Sequence, residues 1–345
     1  MSRRTLPPPG LNSGDGRLNP RPARTRPSTM VTMPAGSRYP FVWFTALLLL
    51  SANRGPGAET SASNPAIPDP ARAAEQAWQA SLPRAPAPEL TRHGLVAQEL
   101  RRWRPRGANQ GVAVDADHFY GIGNFIVGKY DKRTGERVAE WVGLRGGATI
   151  HLNGGLIQDG LLVLAHSNFP QLPMMSSVEF FDPRTLTPVR SLSLGARDGS
   201  LTWAERRDGS WWACFAHYND QGATPGRDQR WTHVARLDDQ WQPLESWLFP
   251  PQVVATWGKS SCSGGSWGDD GLLYVTGHDA RELYVLRPPR MGSTLEYVTT
   301  IDVPFEGQSW AWDRSEGRVI YGIVRRTREV VVARIPELPA ALRGR

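Results

Sequence analysis

Cysteine is nearly absent: two residues in 345, with no C-x-x-C pair, which excludes a cysteine metal cluster and a disulfide-stapled scaffold. Cys214 lies inside the apolar run WWACFA and reads as a small buried hydrophobe; Cys262 falls in the neighbouring repeat. Long hydrophobic runs are missing too. The run at residues 41–52, FVWFTALLLLSA, has twelve residues, short of the about 20 that span a bilayer, so no stable membrane insertion is expected. A basic stripe is also lacking. The formal charge of +7 concentrates in residues 1–93, where 11 Arg face 5 Asp and Glu, a net of +6. Residues 94–345 keep 40 − 11 = 29 basic and 33 − 5 = 28 acidic side chains, a net of +1, and this excludes a nucleic-acid partner. No motif names a reaction. Gly264-Gly265-Ser266-Trp267-Gly268 fits G-x-S-x-G, but a nucleophile elbow needs a helix after it and here a hairpin follows.

What is present begins with an export pattern. Residues 1–29 are a Pro- and Arg-rich extension without apolar periodicity, so translation starting at Met30 or Met33 fits the pattern better. Residues 30–58 read as a signal peptide, with Arg38 before the apolar run and Gly57-Ala58 after it. The expected destination is periplasmic or extracellular. Residues 59–93, rich in Ala, Pro and Ser, read as a disordered linker.

From residue 94 onward the chain repeats. A polar Gly/Ser loop recurs as Asn109-Gln110-Gly111, Asn153-Gly154-Gly155, Asp198-Gly199-Ser200, Ser263-Gly264-Gly265 and Gly307-Gln308-Ser309. The middle residues are 110, 154, 199, 264 and 308, in steps of 44, 45, 65 and 44, the period of a four-stranded propeller blade. Each copy resolves into short strands separated by turn residues, as in GGSWGDD, LLYVTGHD, ELYVLRP and LEYVTTIDV of blade four. The fold class is therefore all-β, a five-bladed propeller over residues 94–345. Blade five supplies only three strands, and residues 95–103 (LVAQELRRW) are expected to complete it, removing a free sheet edge. Asp131, Asp182 and Asp238 occupy equivalent hairpins and read as turn formers. Trp203, Trp211, Trp212, Trp267, Trp310 and Trp312 read as filling between blades.

Because strands alternate direction, the loop before the first strand and the end of the second strand emerge on one face, called here the upper face. The loops bring Asn109, Gln110, His151, Asn153, Glu306 and Gln308 to it; the second-strand ends bring Asn124, His166, His217, His278 and Arg325. Three histidines at one equivalent position should converge on the axis. That arrangement points to a pocket for a divalent metal, held by His166, His217, His278 and His151, or for a small-molecule ligand. Glu306 is the expected general base, Arg325 a carboxylate clamp, and Asn109, Gln110, Asn124, Asn153 and Gln308 the polar lining. The alternative use of the imidazoles is hydrogen bonding between blades, to Asn153, Asn168 and Asn219. Two long loops, residues 167–177 and 218–230, leave the same face and are expected to form a lid with Met174 and Met175 beneath it.

The stretches NQGVAVDADHFYGIGN, LLVLAHSNFP, WWACFAHYND and DDGLLYVTGHDARELYVLR resemble a group of exported bacterial propellers that carry the label cycloisomerase. More distantly, Gln110-Gly111 and the blade number resemble the plant-type glutamine cyclotransferases, five-bladed enzymes that cyclise N-terminal glutamine. That resemblance implies a loop glutamate before a glycine as acid/base. Gly154 stands at the corresponding place in blade two, which leaves Glu306 as the substitute. Isomerase, cyclase or hydrolase chemistry on a small molecule is the expected function; a non-catalytic propeller that binds a protein or glycan is the alternative.

Overall fold

A computed structural model describes residues 89–196 and 198–343. The expected extension, signal peptide and most of the linker lie outside the described residues. Two strands precede the first repeat, β1 (Leu95–Val96) and β2 (Gln98–Trp103). Blade one then comprises β3 (Gly111–Val114), β4 (His118–Gly123), β5 (Ile126–Asp131) and β6 (Arg137–Val142). Blade two holds β7 (His151–Gln158), β8 (Leu161–Ser167), β9 (Ser176–Asp182) and β10 (Thr187–Gly195); blade three holds β11 (Ser200–Arg207), β12 (Ser210–Ala216), β13 (His233–Leu237) and β14 (Pro243–Leu248). Blade four holds β15 (Gly264–Trp267), β16 (Leu273–Thr276), β17 (Glu282–Arg287) and β18 (Glu296–Asp302); blade five holds β19 (Ala311–Asp313), β20 (Val319–Val324) and β21 (Glu329–Arg334).

Each blade is an antiparallel meander, and its fold-back points are chemically marked. Asp159-Gly160 and Asp208-Gly209 join first to second strands with both residues of each pair at positive φ, as a tight hairpin with right-handed strand twist requires. The turn aspartates behave as expected: Asp131 Oδ1 accepts from the Arg133 and Thr134 amides at 2.8 Å, and Asp238 Oδ1 from the Gln240 and Gln242 amides at 2.9 and 2.8 Å. The 65-residue step is accounted for by the loop after β12 and by two helical turns, Pro251–Val254 and Ala255–Trp257, ahead of β15.

The first strands neighbour one another around the axis, and β19 returns to β3 to close the ring. Five apolar clusters form the core, one at each junction between adjacent blades. Trp203, Trp212 and Trp267 pack between blades three and four, and Tyr274, Trp310 and Trp312 between blades four and five. Outer strands such as β10 and β14 stay largely exposed.

Blade five is completed from the N-terminal side. β2 pairs antiparallel with β21, from Gln98 against Arg334 to Trp103 against Val330. The expected closing strand is shorter than residues 95–103, because β1 belongs to the neighbouring sheet: Leu95 and Val96 pair parallel with Ile301 and Asp302 of β18. Residues just before it dock on blade four as well. Tyr297 Oη donates to the Thr91 carbonyl at 3.0 Å, Arg92 pairs with Glu282 and Asp302, and His93 Nδ1 meets Thr299 Oγ1 at 2.9 Å. Cys214 and Cys262 are both buried and free, and burial pushes the Cys214 thiol up. Among the described residues no helix is long and apolar enough to cross a membrane.

Candidate functional site

The repeated Gly/Ser loop has a packing cause. At the level where the five first strands come closest, a Cβ on Gly154 would lie 2.4 Å from Ser309 Oγ and 2.7 Å from the Thr202 carbonyl oxygen. A Cβ on Gly111 would lie 2.8 Å from Ser309 Cβ, and one on Gly264 2.7 Å from the Gln308 carbonyl oxygen. Small residues are required there because backbones and Ser309 already fill the space. This level separates two cavities on the axis, about 260 Å³ above it and about 370 Å³ below.

The upper cavity collects part of the expected set. Gln110, His151, Asn153, His278, Gln308 and Arg325 line it, together with Phe169, Tyr218, Asp220 and Lys259. His278 carries a fixed tautomer: Arg325 Nη1 donates to its Nε2 at 2.9 Å, which leaves Nδ1–H to donate to Asp279 Oδ1 at 2.6 Å. Arg325 is exposed and has no carboxylate partner among the described residues, whereas Lys259 is paired with Asp220 at 3.1 Å. The His151 ring lies 5.0 Å from that of Phe169, which lies 4.8 Å from that of Tyr218. Burial pushes the His151 imidazole down to about 4, assisted by the nearby His166 ring and the positive charge of Arg325; a hydrogen bond with Asn153 opposes the shift. His151 is therefore neutral at pH 7. Burial raises the Tyr218 phenol, keeping it protonated.

Other expected residues are employed elsewhere. His166 Nε2 accepts from the Ile150 amide at 3.2 Å and its Nδ1 meets Ser177 Oγ at 2.8 Å, so both ring nitrogens are taken. Ser177 in turn donates to Glu179 Oε1 at 2.6 Å. His217 Nε2 bonds the Asp198 carbonyl at 3.1 Å, and burial pushes its pKa down to about 4. The expected metal set of His151, His166, His217 and His278 thus does not assemble: no group of three or more His, Cys, Asp or Glu side chains suited to a metal ion occurs among the described residues. The partners of His166 and His217 are also not the asparagines expected for the alternative. Asn153 instead bridges to the Leu201 carbonyl at 2.7 Å.

Glu306 is not in the cavity wall; its Oε2 accepts from the Arg326 amide at 3.5 Å. Asn124 Oδ1 accepts from Gln110 Nε2 at 2.6 Å, and neither Asn124 nor Asn109 is among the residues that line the cavity. Both long loops contribute to the wall, through Phe169 and through Tyr218, Asp220 and Gln221. Met174 is buried, and its Cε would lie 3.5 Å from a Cβ on Gly222 of the other loop, whereas Met175 is 39% exposed and does not cap the cavity. Sequence reasoning flagged these loops but not Lys259, whose neighbours GKSS carry no motif.

Burial depresses four histidines, His151, His166, His217 and His233, and the two lowered furthest, His151 and His217, make stability depend on pH most strongly. Each of these two has a folded value near 4 against about 6.5 unfolded, so the unfolded chain binds protons first on acidification. Their contribution is complete above about 6.5 and is lost as pH falls toward 4. We expect the urea midpoint to drop over that interval by an amount equivalent to about 1–3 kcal/mol per histidine. His217→Gln, which keeps a donor for Asp198, should reduce the drop; an unchanged profile would show that His217 does not carry it.

The class these features define is a closed five-bladed β-propeller with a polar cavity on its upper face. No protein-family model and no curated protein matches the chain. Among solved structures, the glutaminyl cyclase of Myxococcus xanthus is similar at 12% identity over 72% of this chain and 100% of that one, TM-score 0.49. A PQQ-bound aldose sugar dehydrogenase from Streptomyces coelicolor is similar at 10% identity over 73% of this chain and 99% of that one, TM-score 0.41. A luciferin-regenerating enzyme is similar at 11% identity over 71% and 96%, TM-score 0.41.

Proposed function

We propose that the protein is an exported enzyme for a small anionic molecule, bound in the upper cavity, with isomerase, cyclase or hydrolase-type chemistry. The observation that carries this reading is Arg325: a guanidinium at the cavity wall, aimed by His278 at 2.9 Å, with no carboxylate partner among the described residues. An anionic group on the substrate supplies the missing partner through a charge-assisted hydrogen bond. His151 is then the proton carrier in place of Glu306, which stands outside the wall. Burial is the main cause of the low His151 value; an anion close to Arg325 offsets only the smaller share due to that positive charge and raises the basicity of His151 by that share. The cavity's about 260 Å³ suits a small molecule better than a protein or glycan chain.

The test is a calorimetric screen of mono- and dicarboxylates, followed by product analysis by NMR. Arg325→Gln should weaken binding about ten- to a hundredfold, the worth of a hydrogen bond to a charged group. His151→Ala should abolish turnover while the ligand still binds. Carboxylates that bind equally well to the Arg325 variant would sink the proposal.

A further inference from the structure

The outer edge of blades three and four carries an apolar trough that the upper site does not use. One part, about 330 Å³, is lined by Leu248, Phe249, Pro251, Val254, Ala255 and Thr294 among others. A second part, about 510 Å³, shares Pro251 and Thr294 with it and extends to Leu295, Tyr297 and Val298. The last strands of the two blades meet here: Leu248 pairs parallel with Thr294, and the Leu248 carbonyl accepts from the Leu295 amide at 2.9 Å. Leu248 stays 40% exposed even so. A contiguous apolar surface of this kind marks a contact rather than ordinary solvent-facing side chains.

The N-terminal side of the chain is aimed at this trough. The Thr91 carbonyl accepts from Tyr297, His93 meets Thr299, and Leu95 and Val96 pair with Ile301 and Asp302, so every residue lies beside the one 206 positions further on. The segment therefore runs parallel to β18 in constant register. Leu90 already packs on the apolar cluster that holds Phe249, Val254 and Leu295. Continued back from Thr91 by three residues, the same register brings Pro88 to Thr294, where the two parts of the trough join. The sequence ahead of that point suits an apolar surface. Residues 77–88, AWQASLPRAPAP, place Trp78 and Leu82 four apart, as on one face of a helical turn, and their three prolines bring no N–H that an apolar groove would leave without an acceptor. Trp78 stands ten residues before Pro88, a reach of at most about 35 Å, enough to arrive at Leu248 and Val254. We propose that residues 77–88 are the occupant of the trough, with the Trp78 indole and the Leu82 side chain seated beside Leu248 and Val254. The stretch expected as linker is then a strap that ties blade three to blade four. A strap on the same chain avoids the translational entropy lost when a second copy docks, which favours it over a dimer contact.

The experiment is limited trypsin digestion of the full chain, joined to hydrogen exchange read by mass spectrometry. The Arg84–Ala85 bond should be cut about tenfold more slowly than the Arg72–Ala73 bond, because cleavage follows the fraction of time a segment spends undocked. Trp78→Ala, and Trp78→Ala combined with Leu82→Ala, change residues outside the propeller and leave its own packing intact. Both should bring the two cleavage rates together and speed exchange of the Val253 and Val254 amides, which donate to the Pro250 carbonyl beside the trough. Neither readout involves the upper cavity, so the outcome is independent of what binds there. Equal cutting of the two bonds in the parent chain would overturn the proposal. So would protection of Val253 and Val254 that survives both substitutions: with a sedimentation mass of two chains it assigns the trough to a second copy, and with that of one chain it shows that no strap is needed to cover it.

Discussion

A chain that starts at Gly107 should show no cooperative unfolding transition, whereas one that starts at Glu89 should melt as a single unit. Removing β2 takes away every ladder partner from Gln98 against Arg334 to Trp103 against Val330 and leaves β21 as an open edge. Val330, Val331 and Val332 are buried in the intact protein and would lose their cover on that side. Glu329, only 6% exposed, would lose Arg102 at 2.8 Å and Arg104 at 3.0 Å, which with Thr327 hold its carboxyl down to about 2. Trp103 also stacks 6.4 Å from Phe119, so the loss reaches blade one as well as blade five. Folded domains are stable by only about 5–15 kcal/mol, and exposing one side of a blade consumes that margin. Circular dichroism during a urea titration gives the answer directly. Superimposable transitions for the two chains would mean that the ring does not depend on its N-terminal strand.

The fold was readable because its signals are local and repeated. Asp-Gly pairs at 159–160 and 208–209 dictate hairpins, alternating Val, Ile, Tyr and Trp dictate strands, and a period near 44 dictates blades. The closing strand was readable from a deficit, since blade five had three strands of its own. The parallel pairing of Leu95 and Val96 with β18 was not, because two residues carry no pattern that distinguishes one neighbouring sheet from another.

The candidate site was readable only to the level of the face. Topology correctly sends His166, His217 and His278 to equivalent second-strand ends, but a second strand stands one ladder out from the axis. Symmetry therefore puts such residues on a circle and not at a point. His166 and His217 turn to Ser177 and to the Asp198 carbonyl, which satisfy them at close range. His278 reaches the cavity where blades four and five come together tightly; a Cβ on Gly307 would lie 2.7 Å from the Gly277 carbonyl oxygen. The contribution of Lys259 and Asp220 depends on how two loops fold toward each other, which no residue spacing encodes.

The hub of the propeller makes the sharpest single-residue prediction. Gly154→Ala should destabilise the protein by about 1–3 kcal/mol, the usual cost of overpacking a tight interior, and Gly154→Val by more. The added methyl group has no free direction: Ser309 Oγ would be 2.4 Å away, the Thr202 carbonyl oxygen 2.7 Å and Ser309 Cβ 3.2 Å. One obstacle is main chain, so a rotamer change of Ser309 relieves only part of the clash. Gly154 is not at positive φ, so the penalty is one of space and not of backbone conformation. For a chain of this size the alanine variant should melt lower by roughly 2–4 °C per kcal/mol. Ser309→Gly should recover part of the loss when combined with Gly154→Ala, because it removes two of the three nearest atoms; sites in contact are non-additive in this way. If the single variant melts with the parent, or if the two substitutions add without coupling, then the first strands do not meet as closely as the repeated glycines imply, and the separation of the two cavities at this level fails with it.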